Sequence, residues 1–530
     1  MQFPESTLKG KISLKTRVAR YWLLGVLAGL LLLFWVIILK NIPAGFYELG
    51  GDSAQYIILA ESLAKGAGYH ALNYPGSPFF YHYPPLFPLI LSPVVYFFGR
   101  NFFLMHLVTA CFGFICLLPL YKILEKYAAK NVVFLVLIFL ITNRTFIVCS
   151  AANILSDVPY LCLSLLTLWP AAGYIKSENW FNRQAGLTVL GLILCYFSRY
   201  AGISLFLALM TALSFFGGAK RFKKVFFVGA VFLTVFGAWQ LIGKTLNPRA
   251  VSQYFSSQVL LIDPYRPFLG TLCEHPGAIF LRFIQGAQLY ADQSAAYLFA
   301  YSHYQNNALP VLTVVLYCGL VFLGLAINFC RDKSSPVSYY FLIYLFMVIL
   351  WPFSAESERF GLAILPFMIF YFFTAVEKIL ALLPAKSAAL AMTALATGLI
   401  VMNLLVLPLR PEGYPDLPLP SKHFVDLNIW AAGNLDKSQI IISRKPAFTY
   451  LYTGNQALVY PFSGDPEKIK RFVAQSRAGY IMVDEFSSAS RQYLWPFVEK
   501  YHRDLKLIRL IGSSGILAVI KNDSWLEHKR

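Results

Sequence analysis

The chain has 530 residues, 58% of them hydrophobic and 13% charged, with a mean hydropathy of +0.59, which excludes a soluble globular domain. Lys and Arg outnumber Asp and Glu by 45 to 26, a net charge of +19. In a polytopic membrane protein that excess collects in cytoplasmic loops, so it gives no argument for nucleic acid. Seven of the eight cysteines (Cys111, Cys116, Cys149, Cys162, Cys195, Cys318, Cys330) lie in or beside apolar runs, and Cys273 sits in a hydrophilic loop. Neither a disulfide framework nor a metal knuckle is available from such a set.

The N-terminus carries Lys9, Lys11, Lys15, Arg17 and Arg20 ahead of the apolar run 21–39. That run is long for a signal peptide and lacks a small-residue cleavage site, so it reads as an uncleaved first helix. A membrane span needs about 20 apolar residues. Reading at that length gives eleven segments, near 21–39, 103–121, 132–150, 158–175, 186–198, 201–216, 225–242, 309–328, 337–353, 361–376 and 388–408. The fifth and sixth are short, flank Arg199 and read as half-helices or full spans. Basic loops at Lys122/Lys126/Lys130, Lys176/Arg183, Lys220/Arg221/Lys223/Lys224, Arg331/Lys333 and Lys378/Lys386 fall on the side of the basic N-terminus. This places the N-terminus in the cytoplasm and loops 43–102, 151–157, 243–308 and 354–360 outside, with Asp52, Asp157, Arg199, Glu356, Glu358 and Arg359 on one face.

Within the first outer loop, residues 52–70 mix apolar and charged side chains at helical spacing and predict an amphipathic helix along the membrane surface, ended by Gly66 and Gly68. Next, Tyr81-His82-Tyr83-Pro84-Pro85-Leu86-Phe87-Pro88 predicts an extended, rigid aromatic wall, because its three prolines remove donors. The loop 243–308, with Arg249, Arg266 and Arg282 among aromatics, is expected to cap a site that opens outward. After Pro408 a proline-rich linker, 409–420, leads from the membrane domain 1–408 into a soluble tail, 421–530. Strand-like runs in 439–443, 457–461, 480–483, 506–511 and 516–520, alternating with helical patterns at 421–434, 465–476 and 487–503, predict a small α/β domain. It has no glycine-rich phosphate fingerprint and reads as an accessory or acceptor-binding unit.

An ionisable group at membrane depth is a functional site by default. Asp52 lies a few residues beyond the first span; it reads as a site residue, and also suits an N-cap for a helix starting at Ser53. Asp157 precedes Pro159 and suits a second acidic site or another cap. Arg199 needs a partner, either a phosphate or Asp157, and Arg359 has Glu356 and Glu358 beside it, which pair with it or with solvent. Tyr56, His82, Tyr83 and Glu358 are candidate substrate contacts. No metal-ligand spacing is present; a divalent cation is the one cofactor left open.

Taken in order, Asp52 with Tyr56, Tyr83-Pro84-Pro85-Leu86, Leu155-Ser156-Asp157-Val158-Pro159, Ser198-Arg199-Tyr200-Ala201-Gly202 and Glu358-Arg359-Phe360 ahead of Leu365-Pro366 resemble a known pattern. It is that of the protein O-mannosyltransferase-type integral-membrane glycosyltransferases, related to the aminoarabinose and galacturonic acid transferases that act on lipopolysaccharide. The resemblance implies a GT-C fold, a sugar donor on a polyprenyl or dolichyl phosphate, and a hydroxyl-bearing acceptor. It also implies a single inverting displacement with Asp52 as base and Arg359 on the phosphate, in the cytoplasmic (inner) membrane with the tail extracytoplasmic. The rivals are a transporter or flippase of a lipid-linked saccharide, which would show internal repeats and mid-membrane charges, and a polyprenyl-diphosphate polymer ligase, for which Asp52 would be incidental.

Overall fold

The computed structural model describes residues 14–43, 45–247, 260–264, 266, 269–299, 311–352, 357–407 and 417–520. Helices follow the apolar runs in chain order. The first half holds α1 (Leu14–Asn41), α2 (Asp52–Ala64), α3 (Leu86–Phe98), α4 (Phe102–Ile115), α5 (Leu117–Leu124), α6 (Lys130–Thr142), α7 (Arg144–Ala151), α8 (Asp157–Lys176), α9 (Arg183–Ser198), α10 (Gly202–Phe216) and α11 (Arg221–Leu246). The bundle is completed by α12 (Ala278–Phe299), α13 (Val311–Arg331), α14 (Pro336–Ile349), the short α15 (Ser357–Phe360), α16 (Leu365–Leu380) and α17 (Ala385–Val406). Every predicted span coincides with helix, yet only five helices among the described residues are long and apolar enough to cross a membrane, or six if the bent pair α6 and α7 counts as one. The count of eleven is not confirmed by this measure, since α9, α10 and α14 are apolar but shorter.

Local chemistry sets the helix boundaries. Asn101, Asn143 and Asn182 cap α4, α7 and α9 by accepting from the N–H groups of Leu104, Phe146 and Ala185. At the 56° bend between α6 and α7, Asn143 Nδ2 also donates to Tyr297 O at 2.8 Å, and Asn403 Nδ2 donates to Leu298 O at 3.1 Å. A helix can break inside a bundle only where side chains answer the backbone in this way. Tight packing of α13 on α16 depends on Gly324, where an added Cβ would sit 1.9 Å from Tyr371 O.

Several expectations change. The helix predicted for 52–70 is α2, and its residues 53–62 are buried, packed against α3 and the tail, so it has no open amphipathic face. The prolines do not hold the chain extended through Pro88. Helix α3 starts at Leu86 and takes Pro88 into its first turn, where the missing N–H has no intrahelical partner to lose. The loop 243–308 contains α12, packed on α13, α14 and α17; Arg249 lies outside the described residues. Lys224, grouped with the basic loop residues, is fully buried and donates to Tyr174 O at 3.0 Å and Ile175 O at 3.1 Å, closing the end of α8.

The tail folds as α18 (Leu419–Asn434), β1 (Ile441–Ile442), α19 (Pro446–Thr453), β2 (Ala457–Leu458), α20 (Pro466–Ser476), β3 (Tyr480–Val483), α21 (Trp495–Lys500), β4 (Leu505–Ile511) and β5 (Ser514–Val519). The sheet order is β2-β1-β3-β5-β4, with β1 parallel to both neighbours and β3, β5 and β4 antiparallel in turn. All five strands were anticipated and α19 was not. The tail shares one apolar core with the first outer loop: Phe424, Leu427, Phe448 and Met482 pack with Phe46, Ile57, Phe87 and Leu91.

Replacing Lys224 by Met takes the donor from the buried Ile175 carbonyl, while Tyr174 O keeps Ser177 N–H at 3.2 Å, a penalty of about 1–3 kcal/mol for one unsatisfied group. Lys224→Met is expected to lower Tm in detergent, measured by intrinsic fluorescence; an unchanged Tm contradicts the capping role.

Candidate active site

The chain leaves α1 and turns at Gly50-Gly51, where Gly51 takes φ +97°, a left-handed conformation that glycine adopts at little cost. The turn makes Asp52 the first residue of α2, not its cap, and no side chain caps this helix. The Asp52 carboxylate instead points at partners from elsewhere in the chain. Tyr83 OH donates to Oδ1 at 2.6 Å, and Arg359 Nη2 donates to Oδ2. Burial alone raises the Asp52 pKa, but the Arg359 charge, the Tyr83 hydrogen bond and the Arg199 charge outweigh it and hold the carboxyl below its ordinary value. The N-terminus of α2 also favours the anion.

Asp157 is likewise the first residue of its helix and not a cap; its Oδ1 forms an ion pair with Arg199 Nη1. Arg199 sits on the tight turn between α9 and α10, and Phe360 lies between the two arginines, its ring 5.3 Å from the Arg199 guanidinium and 5.1 Å from that of Arg359. The two carboxylates differ in access. Asp52 keeps 20% of its side chain exposed and Asp157 only 4%, so Asp52 faces open space while Asp157 stands behind Arg199.

That space is a cavity of about 290 Å³ lined by Asp52, Tyr56, His82, Tyr83, Arg199 and Arg359, with Tyr200, Tyr344, Met347, Trp351 and Phe360 among its other walls. Six of the residues singled out in the sequence thus meet in one cavity. Asp157 does not line it. The Glu358 side chain and Glu356 lie outside the described residues, and no described residue of 243–308 contributes a wall. His82 stacks edge-on against Tyr83, with ring centroids 5.2 Å apart, and burial pulls its pKa down to about 4 against the opposing Asp52 charge, so it is neutral at pH 7. Tyr56 OH and Ser156 Oγ are hydrogen-bonded at 2.8 Å, tying α2 to the loop before Asp157.

Three further residues, Tyr344, Trp351 and Glu48, were not singled out in the sequence. Tyr344 and Trp351 come from an apolar run in which an aromatic residue is unremarkable, although Tyr344 OH donates to Phe360 O at 2.9 Å and so steadies the ring between the arginines. Glu48 accepts from Ile154 N–H at 2.8 Å and from Ser53. Burial pushes its pKa up to about 8, so it bridges the two acidic loops as a neutral acid at pH 7. Only its place beside the first span hints at this.

Solved structures share the overall fold. ArnT from Cupriavidus metallidurans, bound to undecaprenyl phosphate, aligns over 94% of this chain and 98% of its own with a TM-score of 0.60 at 10% identity. The oligosaccharyltransferase AglB of Archaeoglobus fulgidus, in complex with an inhibitory peptide and a dolichol-phosphate, aligns over 88% of this chain and 69% of its own with a TM-score of 0.57 at 14% identity. The fold is GT-C. No protein-family model and no curated protein sequence matches the chain. At such identities the GT-C likeness fixes the architecture alone, and the meeting of Asp52 with Arg359 and Arg199 is this chain's own geometry.

Removing the Tyr83 hydroxyl takes away one of the bonds that stabilise ionised Asp52. The protonation midpoint of Asp52, read from the pH dependence of carbodiimide labelling by peptide mass spectrometry, is expected to rise in Tyr83→Phe; a midpoint equal to wild type contradicts the bond.

Proposed function

We propose that the chain is an inverting glycosyltransferase that moves a sugar, hexosyl or pentosyl, from a polyprenyl-phosphate carrier to an acceptor hydroxyl at the outer face of the cytoplasmic membrane. One observation carries the reading: an accessible carboxylate and two guanidinium groups meet in one cavity, so a proton acceptor and an anion cradle stand within reach of the same bound molecule. The ligands of the GT-C neighbours are of the matching kind, undecaprenyl phosphate in ArnT and dolichol-phosphate in AglB. A flippase would show internal repeats, and none is apparent in the sequence.

In this scheme the acceptor oxygen attacks the anomeric carbon from the face opposite the phosphate, and the bond from that carbon to the phosphate oxygen breaks. The hydroxyl proton passes to Asp52. The charge left on the phosphate is taken up by Arg359 and Arg199, whose geometry Phe360 and Asp157 hold in advance. At rest Arg359 neutralises Asp52 and keeps it a weak base. A bound phosphate competes for Arg359, loosening the pair and raising the basicity of Asp52 at the moment it is needed. Tyr56, His82 and Tyr83 form the wall nearest the sugar. For a divalent cation, among the described residues, which leave out Glu356 and the Glu358 side chain, no three His, Cys, Asp or Glu side chains gather as ligands. No step is routed through one.

Asp52→Asn is expected to insert normally and lose transfer by roughly 10²–10⁴-fold, the usual worth of a general base. Arg359→Ala and Arg199→Ala are expected to weaken undecaprenyl-phosphate binding by roughly tenfold to a hundredfold, as loss of a charged hydrogen bond implies. Transfer is read in membranes of a deletion strain carrying each variant, as the return of the one missing glycolipid or glycoprotein sugar. Normal transfer by Asp52→Asn removes the base assignment; unchanged lipid-phosphate affinity in both arginine variants removes the clamp.

A further inference from the structure

The tail is bonded to the first outer loop along its length. Arg100 Nη1 donates to Leu451 O at 2.7 Å, Gln456 Nε2 to Tyr74 O at 3.1 Å, and Ala457 N–H to Asn73 O at 2.8 Å; Tyr452 OH donates to Phe46 O. A fifth contact reaches the active-site turn. Lys445 Nζ donates to Gly50 O at 3.0 Å, two residues before Asp52, and its Cδ lies 3.9 Å from where a Cβ on Gly51 would be.

Lys445 occupies a particular place in the sheet. It follows β1, whose chain runs out through α19 to β2 on one side, while β3 runs out toward β5 and β4 on the other. The carboxyl ends of two such strands form a crevice at which α/β sheets present functional groups. Here that crevice faces Gly50-Gly51-Asp52. Among the described residues no carboxylate lies within ion-pair distance of Lys445; its charge is felt by Asp52, with Arg444, Asp484 and Arg359 in range. The turn needs such a hold, because two consecutive glycines carry no side chain to pin it and Gly51 is equally at ease on either side of φ zero.

We propose that Lys445 is a positioning residue, supplied by the tail, that pins the Gly50-Gly51-Asp52 turn and sets a positive charge beside the Asp52 carboxylate. The inference rests on the reading of Asp52 as base. It makes the C-terminal unit part of the catalytic apparatus and not an appendage.

The test uses full-length protein in proteoliposomes, with Lys445→Met and Lys445→Arg. Around Asp52 stand Arg359, Tyr83, Arg199, Glu48, His82, Tyr56 and Lys445, and the two variants alter Lys445 alone. In Lys445→Met the carbodiimide-labelling midpoint of Asp52 is expected to rise by about half a pH unit, as loss of a nearby positive charge requires. Amide exchange across residues 47–58 is expected to quicken, while undecaprenyl-phosphate affinity stays within about twofold because the two arginines remain. Lys445→Arg, which keeps the charge and a donor, is expected to restore both midpoint and exchange. A wild-type midpoint in Lys445→Met, or no recovery in Lys445→Arg, overturns the proposal. The outcome is separable from the base assignment: active Asp52→Asn with the Lys445 shift intact overturns the base alone, and inactive Asp52→Asn without the shift overturns Lys445 alone.

Discussion

Charges set in an apolar bundle must be neutralised where they stand, and the pairing of Asp52 with Arg359 is the constraint from which the rest of the site follows. Its two partners lie 307 positions apart in the chain, so the bundle must bring the start of α2 and the segment before α16 to one point. The second pair, Asp157 with Arg199, has to meet beside the first, with Phe360 between the guanidinium groups. Buried pairs of this kind contribute little net stability, since desolvation offsets most of the attraction. A chain that holds two of them around a cavity is therefore organised for what the charges do there.

The same logic explains why α2 is buried on all sides. To aim Asp52 inward, the helix must be gripped from outside as well, and the tail supplies that grip through Phe424, Phe448 and Met482. The segment around α2 and α3 and the tail thus share one apolar core, which also takes in Met105 of α4, and Lys445 adds a polar contact at the turn.

Much of this was legible in the sequence, for a physical reason. Ionisable groups at membrane depth are costly enough that each one marks a place where a partner exists, and Asp52 and Arg199 stood out on that ground, Arg359 through the family resemblance. The proline-aromatic run drew attention to Tyr83 by its rigidity. What stayed hidden were features that depend on who packs against whom. The apolar and charged mixture in α2 is the same pattern for a helix on lipid and for one sandwiched between domains. Lys224 reads as one more loop cation until its carbonyl partners are seen, and Lys445 as an ordinary surface lysine of a soluble tail. Tyr344 and Trp351 carry no mark among the many aromatics of the bundle. Pro88 misled because a proline in the first turn of a helix costs nothing, whereas one further in would have ended it.

The account stands on one claim, that a lipid phosphate takes Arg359 from Asp52 and thereby readies the base. The direct measurement is the protonation midpoint of Asp52 in wild-type protein, titrated by carbodiimide labelling with and without saturating undecaprenyl phosphate and counting only label at Asp52. The account predicts a midpoint that rises when the lipid phosphate binds, because Asp52 loses its cation and gains an anionic neighbour. A midpoint that stays put or falls under saturating lipid contradicts it.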